Sequence, residues 1–157
     1  MERVSDTGDD LVFHDDQSTL LRVTRRTRLL GAANGGVHVL AGGVLIAAGI
    51  IRQRLIIEAG GACYASGYIR AVPKVADGGL LDVTGELSPV RWPEADIDGT
   101  ILIAVGAVYG QQVVTPDGGL APLDPSTRVR VSDAAPRFRV VRSGSAPVIE
   151  GPVTTLE

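Results

Sequence analysis

The sequence predicts an all-β protein: a three-faced parallel β-solenoid with eighteen-residue coils and an irregular C-terminal cap and tail. Three observations carry this. Between Gly31 and Gly85 the chain repeats in rows of eighteen, Ala32–Gly49, Ile50–Gly67 and Tyr68–Gly85, each with Gly-Gly at the same place and each ending in Gly. Chance would place the six later glycines so with odds on the order of 10⁻⁵. Within a row the apolar residues alternate, which is the period of a strand rather than a helix. Finally, the alternating positions line up between rows. Ile51, Leu55, Ile57, Cys63 and Ala65 stand under Ala33, Val37, Val39, Leu45 and Ala47, and over Ile69, Pro73, Val75, Leu81 and Val83. Such columns arise when successive turns of a solenoid stack the same side chains inward. Eighteen residues divide into three strands of roughly six positions, so each coil is a triangle with glycines at corners, where positive φ is needed. Coils should rise by about 4.8 Å each, the spacing of hydrogen-bonded strands.

In chain order, residues 1–10 are polar and are expected to fray. Residues 11–141 form the solenoid domain with its capping strands. Leu11–Phe13 reads as a first strand and His14–Ser18 as an Asp-rich turn. Leu20–Arg25 (LLRVTR) matches Leu80–Gly85 (LLDVTG), but the spacing is not a multiple of eighteen; about six extra residues fall at Arg25–Leu30. These read as an insertion or short coil with Arg25, Arg26 and Arg28 exposed. After Gly85 the repeat loosens. Pro89, Trp92 and Pro93 mark a bulge or outward loop, because proline cannot donate to a ladder. Thr100–Val105 returns to the pattern, and a last coil is expected through Val113-Val114 to Gly118-Gly119. Arg128–Val131 and Arg137–Val141 alternate like edge strands that cap the open end. Residues 142–157 lack periodicity and are expected to be a flexible tail.

Composition and motifs exclude more chemistry than they suggest. The 157 residues suit one domain, and 45% hydrophobic content with 20 Gly is ample for a core. The net charge of -3 argues against nucleic acid as partner, since there is no basic excess to neutralise phosphates. No apolar run is long enough for a membrane span. No signal peptide is legible, so a cytoplasmic protein is expected. The lone Cys63 excludes an intramolecular disulfide and sits in an inward column, which makes it an inert thiol. There is no phosphate-binding loop, no HExxH and no CxxC. His14 and His38 lack a spaced carboxylate or cysteine partner, so no metal site is expected. No catalytic, cofactor or metal residues are assigned, and no enzyme is expected.

Stacked short strands with recurring V-x-V and A-G-G, over roughly Asp10 to Leu123, resemble the β-helical core of the bactofilins, the polymer-forming bacterial cytoskeletal proteins. The resemblance implies a three-faced parallel β-helix, no cofactor and self-association. This chain carries large apolar and Arg residues where such repeats usually carry small polar ones.

Those outward residues are the functional signal. One outward column of the first strand reads Ala32, Ile50, Tyr68 and its neighbour Asn34, Arg52, Arg70; Arg54 stacks with Val72, and Trp92 lies close by. On the third strand Ile46 stands above Tyr64. Ile, Tyr, Trp and Arg together are the composition of a protein–protein interface. The expected interface residues are therefore Ile46, Ile50, Arg52, Arg54, Tyr64, Tyr68, Arg70, Val72 and Trp92, unless a flanking segment such as Arg25–Leu30 or Arg137–Val141 covers them. The third-strand face suits self-contact, most simply a trimer about an axis parallel to the solenoid; the first-strand face suits a second protein subunit. The leading expectation is a non-enzymatic structural protein that self-associates or co-assembles through lateral faces, a class that includes a scaffold altered by evolution or design for assembly. Two alternatives stand beside it. A hexapeptide-type β-helix acyltransferase would use His38, and a monomeric carbohydrate-binding module would use Tyr64 and Tyr68 as aromatic rungs.

Overall fold

A computed structural model describes residues 4–7, 10–88, 96–117, 119–122, 131, 134–143 and 146–153. Among them there is no helix, and the strands stack as a parallel β-solenoid of about five turns. An antiparallel hairpin of β1 (Val4–Thr7) and β2 (Asp10–Phe13) opens the chain, and the first coil continues through β3 (Leu21–Val23) and β4 (Arg26–Leu29). The second coil holds β5 (Ala32–Ala33), β6 (Val37–Val39) and β7 (Val44–Ala47). In the next two coils the first two strands merge into one bent strand. The third coil is β8 (Ile50–Ile57) then β9 (Ala62–Ala65), and the fourth is β10 (Tyr68–Val75) then β11 (Leu80–Val83). The fifth has β12 (Glu86–Leu87), β13 (Asp96–Ile97) and β14 (Thr100–Ala104). Beyond it come β15 (Val108–Tyr109), β16 (Gln112–Val114), β17 (Leu120–Pro122), β18 (Arg137–Ser143) and β19 (Ala146–Val153).

The eighteen-residue register holds where the sequence repeats. Ala32 faces Ile50, Ile50 faces Tyr68 and Tyr68 faces Glu86 on the first face. Arg26, Val44, Ala62 and Leu80 follow one another on the third. The second face runs β3, β6, the latter halves of β8 and β10, then β13. All fifteen residues of the expected inward columns are buried. All of them except Pro73 form one continuous core, joined by Leu29, Leu87, Ile101 and Ile103. Dry aliphatic columns of this kind supply most of the driving force for a fold whose coils touch only their neighbours.

Two kinds of glycine make the corners. The first of each Gly-Gly pair, at Gly42, Gly60 and Gly78, has φ of 83°, 83° and 91° and needs glycine for its conformation. The row-ending glycines need it for space. A Cβ at Gly67 would lie 2.7 Å from the carbonyl carbon of Ala48 and closer still to the carbonyl oxygen of Gly49, in the coil before. Both conformation and clearance therefore require glycine at these repeat positions.

Several expectations at the ends are corrected. The match between Leu20–Arg25 and Leu80–Gly85 aligned strands of different faces. Leu21–Val23 pairs with Val37–Val39 on the second face, and Arg26–Leu29 is itself the third-face strand of the first coil. The first coil is two residues short, with Leu11 opposite Thr27 and Gln17 opposite Ala33, so no insertion exists. Arg25, Arg26 and Arg28 are exposed, as expected. The segment through Val113-Val114 is not a coil: β16 folds back antiparallel on β15, and β17 on β16. Arg137–Val141 does cap the end, pairing antiparallel with β14. The expected flexible segments are partly strands. Val4–Thr7 pairs with β2, and Ala146–Val153 pairs antiparallel with β18. Both ends of the third-face sheet are thus closed by a hairpin, which uses the backbone groups that an open coil would leave unpaired. Pro89, Trp92, Pro93 and Arg128–Arg130 lie outside the described residues.

Candidate interaction surface

A triangular solenoid presents three faces and three corners, and here the outward residues give each corner its own chemistry. The corner between the third and first faces is aromatic. Tyr64 projects from β9 and is 42% exposed, and Tyr68 projects from β10 and is 37% exposed, with Ser66 exposed between them. Ile46 and Ile50, one coil earlier, are half-buried beside them. Both tyrosines are exposed, and no segment among the described residues covers them. They stand on strands of different faces, one on β9 and one on β10.

The Tyr68 ring is engaged from one side. The guanidinium carbon of Arg70 lies 5.3 Å from its centroid, a geometry worth about 0.5–1 kcal/mol at an exposed site. Arg70 also reaches Glu86 in the next coil at 3.4 Å, and Ser88 donates its hydroxyl to the same carboxylate oxygen at 2.8 Å. The Arg70 side chain is thereby held along the first face.

The corner between the first and second faces is basic. Arg52, Gln53 and Arg54 are consecutive in β8 and all exposed, which a regular strand cannot achieve. Gln53 makes it possible by taking φ of 71°, the one non-glycine residue with positive φ among those described. The left-handed turn costs about 1–2 kcal/mol for a residue with a Cβ. The same corner one coil on is built differently. Ala71 and Val72 are buried there, Val72 to 3%, between exposed Arg70 and buried Pro73. Val72, expected exposed with Arg54, shares the outward register of Arg54 and lies outside the core cluster, but at 3% exposure it is covered and is not an available interface residue. The corner itself differs at Ala71, which joins the core where its register partner Gln53 turns outward. Of the other expected interface residues, Arg52, Arg54 and Arg70 are exposed and Trp92 lies outside the described residues.

The corner between the second and third faces is acidic in the later coils. Glu58 and Asp98 occupy equivalent positions, each donating its backbone N–H to the preceding coil, and Asp77 projects from the turn at Gly78. Glu58 has a partner that the sequence did not reveal. Its Oε2 lies 3.1 Å from Nε2 of His38, one coil earlier on the second face. His38 thus has the orienting carboxylate that appeared to be missing, because register brings residues twenty apart onto neighbouring rungs.

Two further groups were not legible as a pair. Asp82 stands in the outward column of the third face, below Tyr64, yet is only 7% exposed. Arg137, 4% exposed, donates through Nε to Asp82 Oδ1 at 2.8 Å and through Nη2 to Oδ2 at 3.3 Å. Its remaining terminal nitrogen donates to the carbonyl of Ala135. The burial of Leu102 beside Asp82 shows that this face is covered at its C-terminal end and open around Tyr64. Cys63 lies inward from that column. Burial first, and the negative charge of Asp82 second, push its thiol up to about 12. A thiol that stays protonated and buried is no nucleophile.

No group of three or more His, Cys, Asp or Glu positioned to hold a metal occurs among the described residues. Nor does any helix there have the length and apolarity to cross a membrane. The fold defines the class: a three-faced parallel β-solenoid with hairpin-closed ends. Comparison with protein families, with curated proteins and with solved structures finds no match.

Proposed function

We propose that this chain is a non-enzymatic structural or assembly protein that associates through the lateral surface of its solenoid, with copies of itself or with a second protein subunit. The observation that carries the reading is the aromatic corner. Tyr64 and Tyr68 stand exposed beside Ile46 and Ile50 in a chain with few aromatic residues. Exposed tyrosines with arginine beside an aliphatic floor match the core composition of protein interfaces. The resemblance to the bactofilin core agrees with self-association in the cytoplasm. Mass in solution by light scattering, over a range of concentrations, tests it. Assemblies larger than one chain are expected, or capture of one defined protein in stoichiometric amount. A chain that stays monomeric at millimolar concentration and binds no protein would refute the reading.

A second reading has one observation in its favour. The pair of His38 with Glu58 at 3.1 Å supplies an oriented imidazole of the kind that a β-helical acyltransferase needs as general base. Calorimetric titration with acetyl-coenzyme A, with His38→Ala as control, decides it: binding that depends on His38 favours the enzyme. The carbohydrate-module reading gains nothing from tyrosines on strands of different faces.

A further inference from the structure

The charges on the other two corners carry the assembly reading further. At the basic corner Arg52 and Arg54 form no ion pair among the described residues; only Arg70, one coil on, is neutralised, by Glu86. Arg52 and Arg70 are direct register partners on adjacent strands, a like-charged placement that is unfavourable in the isolated chain. The left-handed Gln53 adds to that cost by turning three consecutive side chains outward. Strain and repulsion at one exposed point suggest that something negative completes it.

The same molecule carries a matching edge. Glu58, Asp77 and Asp98 lie along the corner at the opposite side of the second face, and Asp77 and Asp98 form no ion pair among the described residues. Along the solenoid they begin in the coil of Arg52 and Arg54 and extend two coils on, about 10 Å at the rise of a β ladder. We infer that the Arg52–Arg54 corner of one copy docks against the Asp77–Asp98 corner of a second copy, with the two solenoids side by side and their axes parallel.

Charge decides the pairing. Basic against basic and acidic against acidic repel, which disfavours a twofold contact between identical corners. Different corners make a heterologous contact, and because Asp77 and Asp98 lie one and two coils beyond Arg52 and Arg54, each copy is displaced along the axis, so copies extend as a staggered or helical array rather than stopping at two. The aromatic corner points away from this contact and stays available for the partner considered above. The inference rests on the assembly reading and specifies a contact within it.

The test is charge-reversal complementation of the full chain. Two variants, Arg52→Glu/Arg54→Glu and Asp77→Arg/Asp98→Arg, are made alongside Tyr64→Ala/Tyr68→Ala, and folding is checked by circular dichroism. All replaced residues are at the surface, so native spectra are expected. At 50 mM NaCl the wild type should exceed dimer mass, and at 1 M NaCl that mass should fall, as screening weakens exposed charge pairs. Each charge-reversed variant alone should fall at least tenfold in association constant, while their mixture regains the wild-type mass. A mixture that stays dissociated overturns the corner pairing, as does a wild type that stops at a dimer. If charge reversal leaves the mass unchanged and only the tyrosine variant dissociates, the pairing is wrong and the assembly reading stands. A wild type that is monomeric in both salts overturns the corner pairing and leaves the assembly reading to stand or fall on binding of a second protein.

Discussion

Asp82 and Arg137, fifty-five residues apart, form a buried two-point ion pair that locks the C-terminal strand β18 across the third face. Arg137 sits opposite Ala104 in the antiparallel ladder with β14 and reaches past that strand to β11. A planar guanidinium suits this task, since two parallel N–H groups fix both distance and direction. The pair also explains why an aspartate can occupy a buried rung between Tyr64 and Leu102.

Breaking one partner should therefore cost more than removing both. Arg137→Met leaves a buried carboxylate uncompensated and is expected to destabilise the fold by about 3–5 kcal/mol. The double variant Asp82→Leu/Arg137→Met should recover most of that loss. Urea unfolding of the four members of this cycle measures the coupling; a loss in the double variant equal to the sum of the two single losses would show that the pair contributes no specific interaction.

The two glycine columns should respond differently to alanine. Gly67→Ala drives a Cβ into the backbone of the preceding coil, and backbone cannot rotate away as a side chain can. A loss of about 3 kcal/mol is expected. At Gly60 the nearest heavy atom is the Cβ of Ala41 at 3.6 Å, so space is adequate and only the positive φ of 83° is penalised. Gly60→Ala should cost about 1–2 kcal/mol. Thermal melts of the two variants side by side would expose the mistake if Gly60 proved the more sensitive.

Cys63 gives the fold an alkaline weakness. Its thiol titrates near 9 when unfolded and is pushed up to about 12 in the core, chiefly by burial. Between those values the unfolded chain has released a proton that the folded chain retains, so stability falls as pH rises. The slope approaches 1.4 kcal/mol per pH unit from this group alone, with no contribution below pH 9. Cys63→Ala should show a shallower decline over pH 9–11 than the wild type. Native Cys63 should also resist a thiol reagent at pH 8 until the chain unfolds.

What the sequence made legible follows from where its repeat is strict. Ile51, Leu55, Ile57, Cys63 and Ala65 were placed inward by alternation plus an eighteen-residue register, and both hold across the second to fourth coils. The first coil was misread because its shorter register hides behind a local likeness, LLRVTR to LLDVTG, that joins two different faces. The closing hairpins were missed because antiparallel pairing at an end has no partner row to align with; β19 carries Pro147 and Pro152 and reads as tail. Alternation placed Val72 in register with Arg54 but could not show that its side chain is covered, and the turn at Gln53 has no counterpart at Ala71, which goes inward instead. The contacts of His38 with Glu58 and of Asp82 with Arg137 are products of stacking and capping, which no local motif announces.

The aromatic corner gives the last test. Tyr64 and Tyr68 leave about two-fifths of their surface in water, and neither ring enters the core columns. Replacing both with alanine removes little packing, and the loss of the Arg70 contact to Tyr68 costs only about 0.5–1 kcal/mol. The melting transition of Tyr64→Ala/Tyr68→Ala should therefore stay close to wild type. Association is expected to change instead. Apolar contacts persist in 1 M NaCl while exposed ion pairs are screened. Any assembly that the wild type retains at that ionic strength should be lost in the double variant. Arg70→Ala/Tyr68→Ala separates the two roles of the first face: it strips the guanidinium as well as one ring while leaving Tyr64 and Ile46 in place. If self-association runs through the third face and a second protein binds the first, this variant keeps the former and loses the latter. Retention of all assembly by both variants would move the interface away from this corner, and a lowered melting point in either would place the side chains in the core.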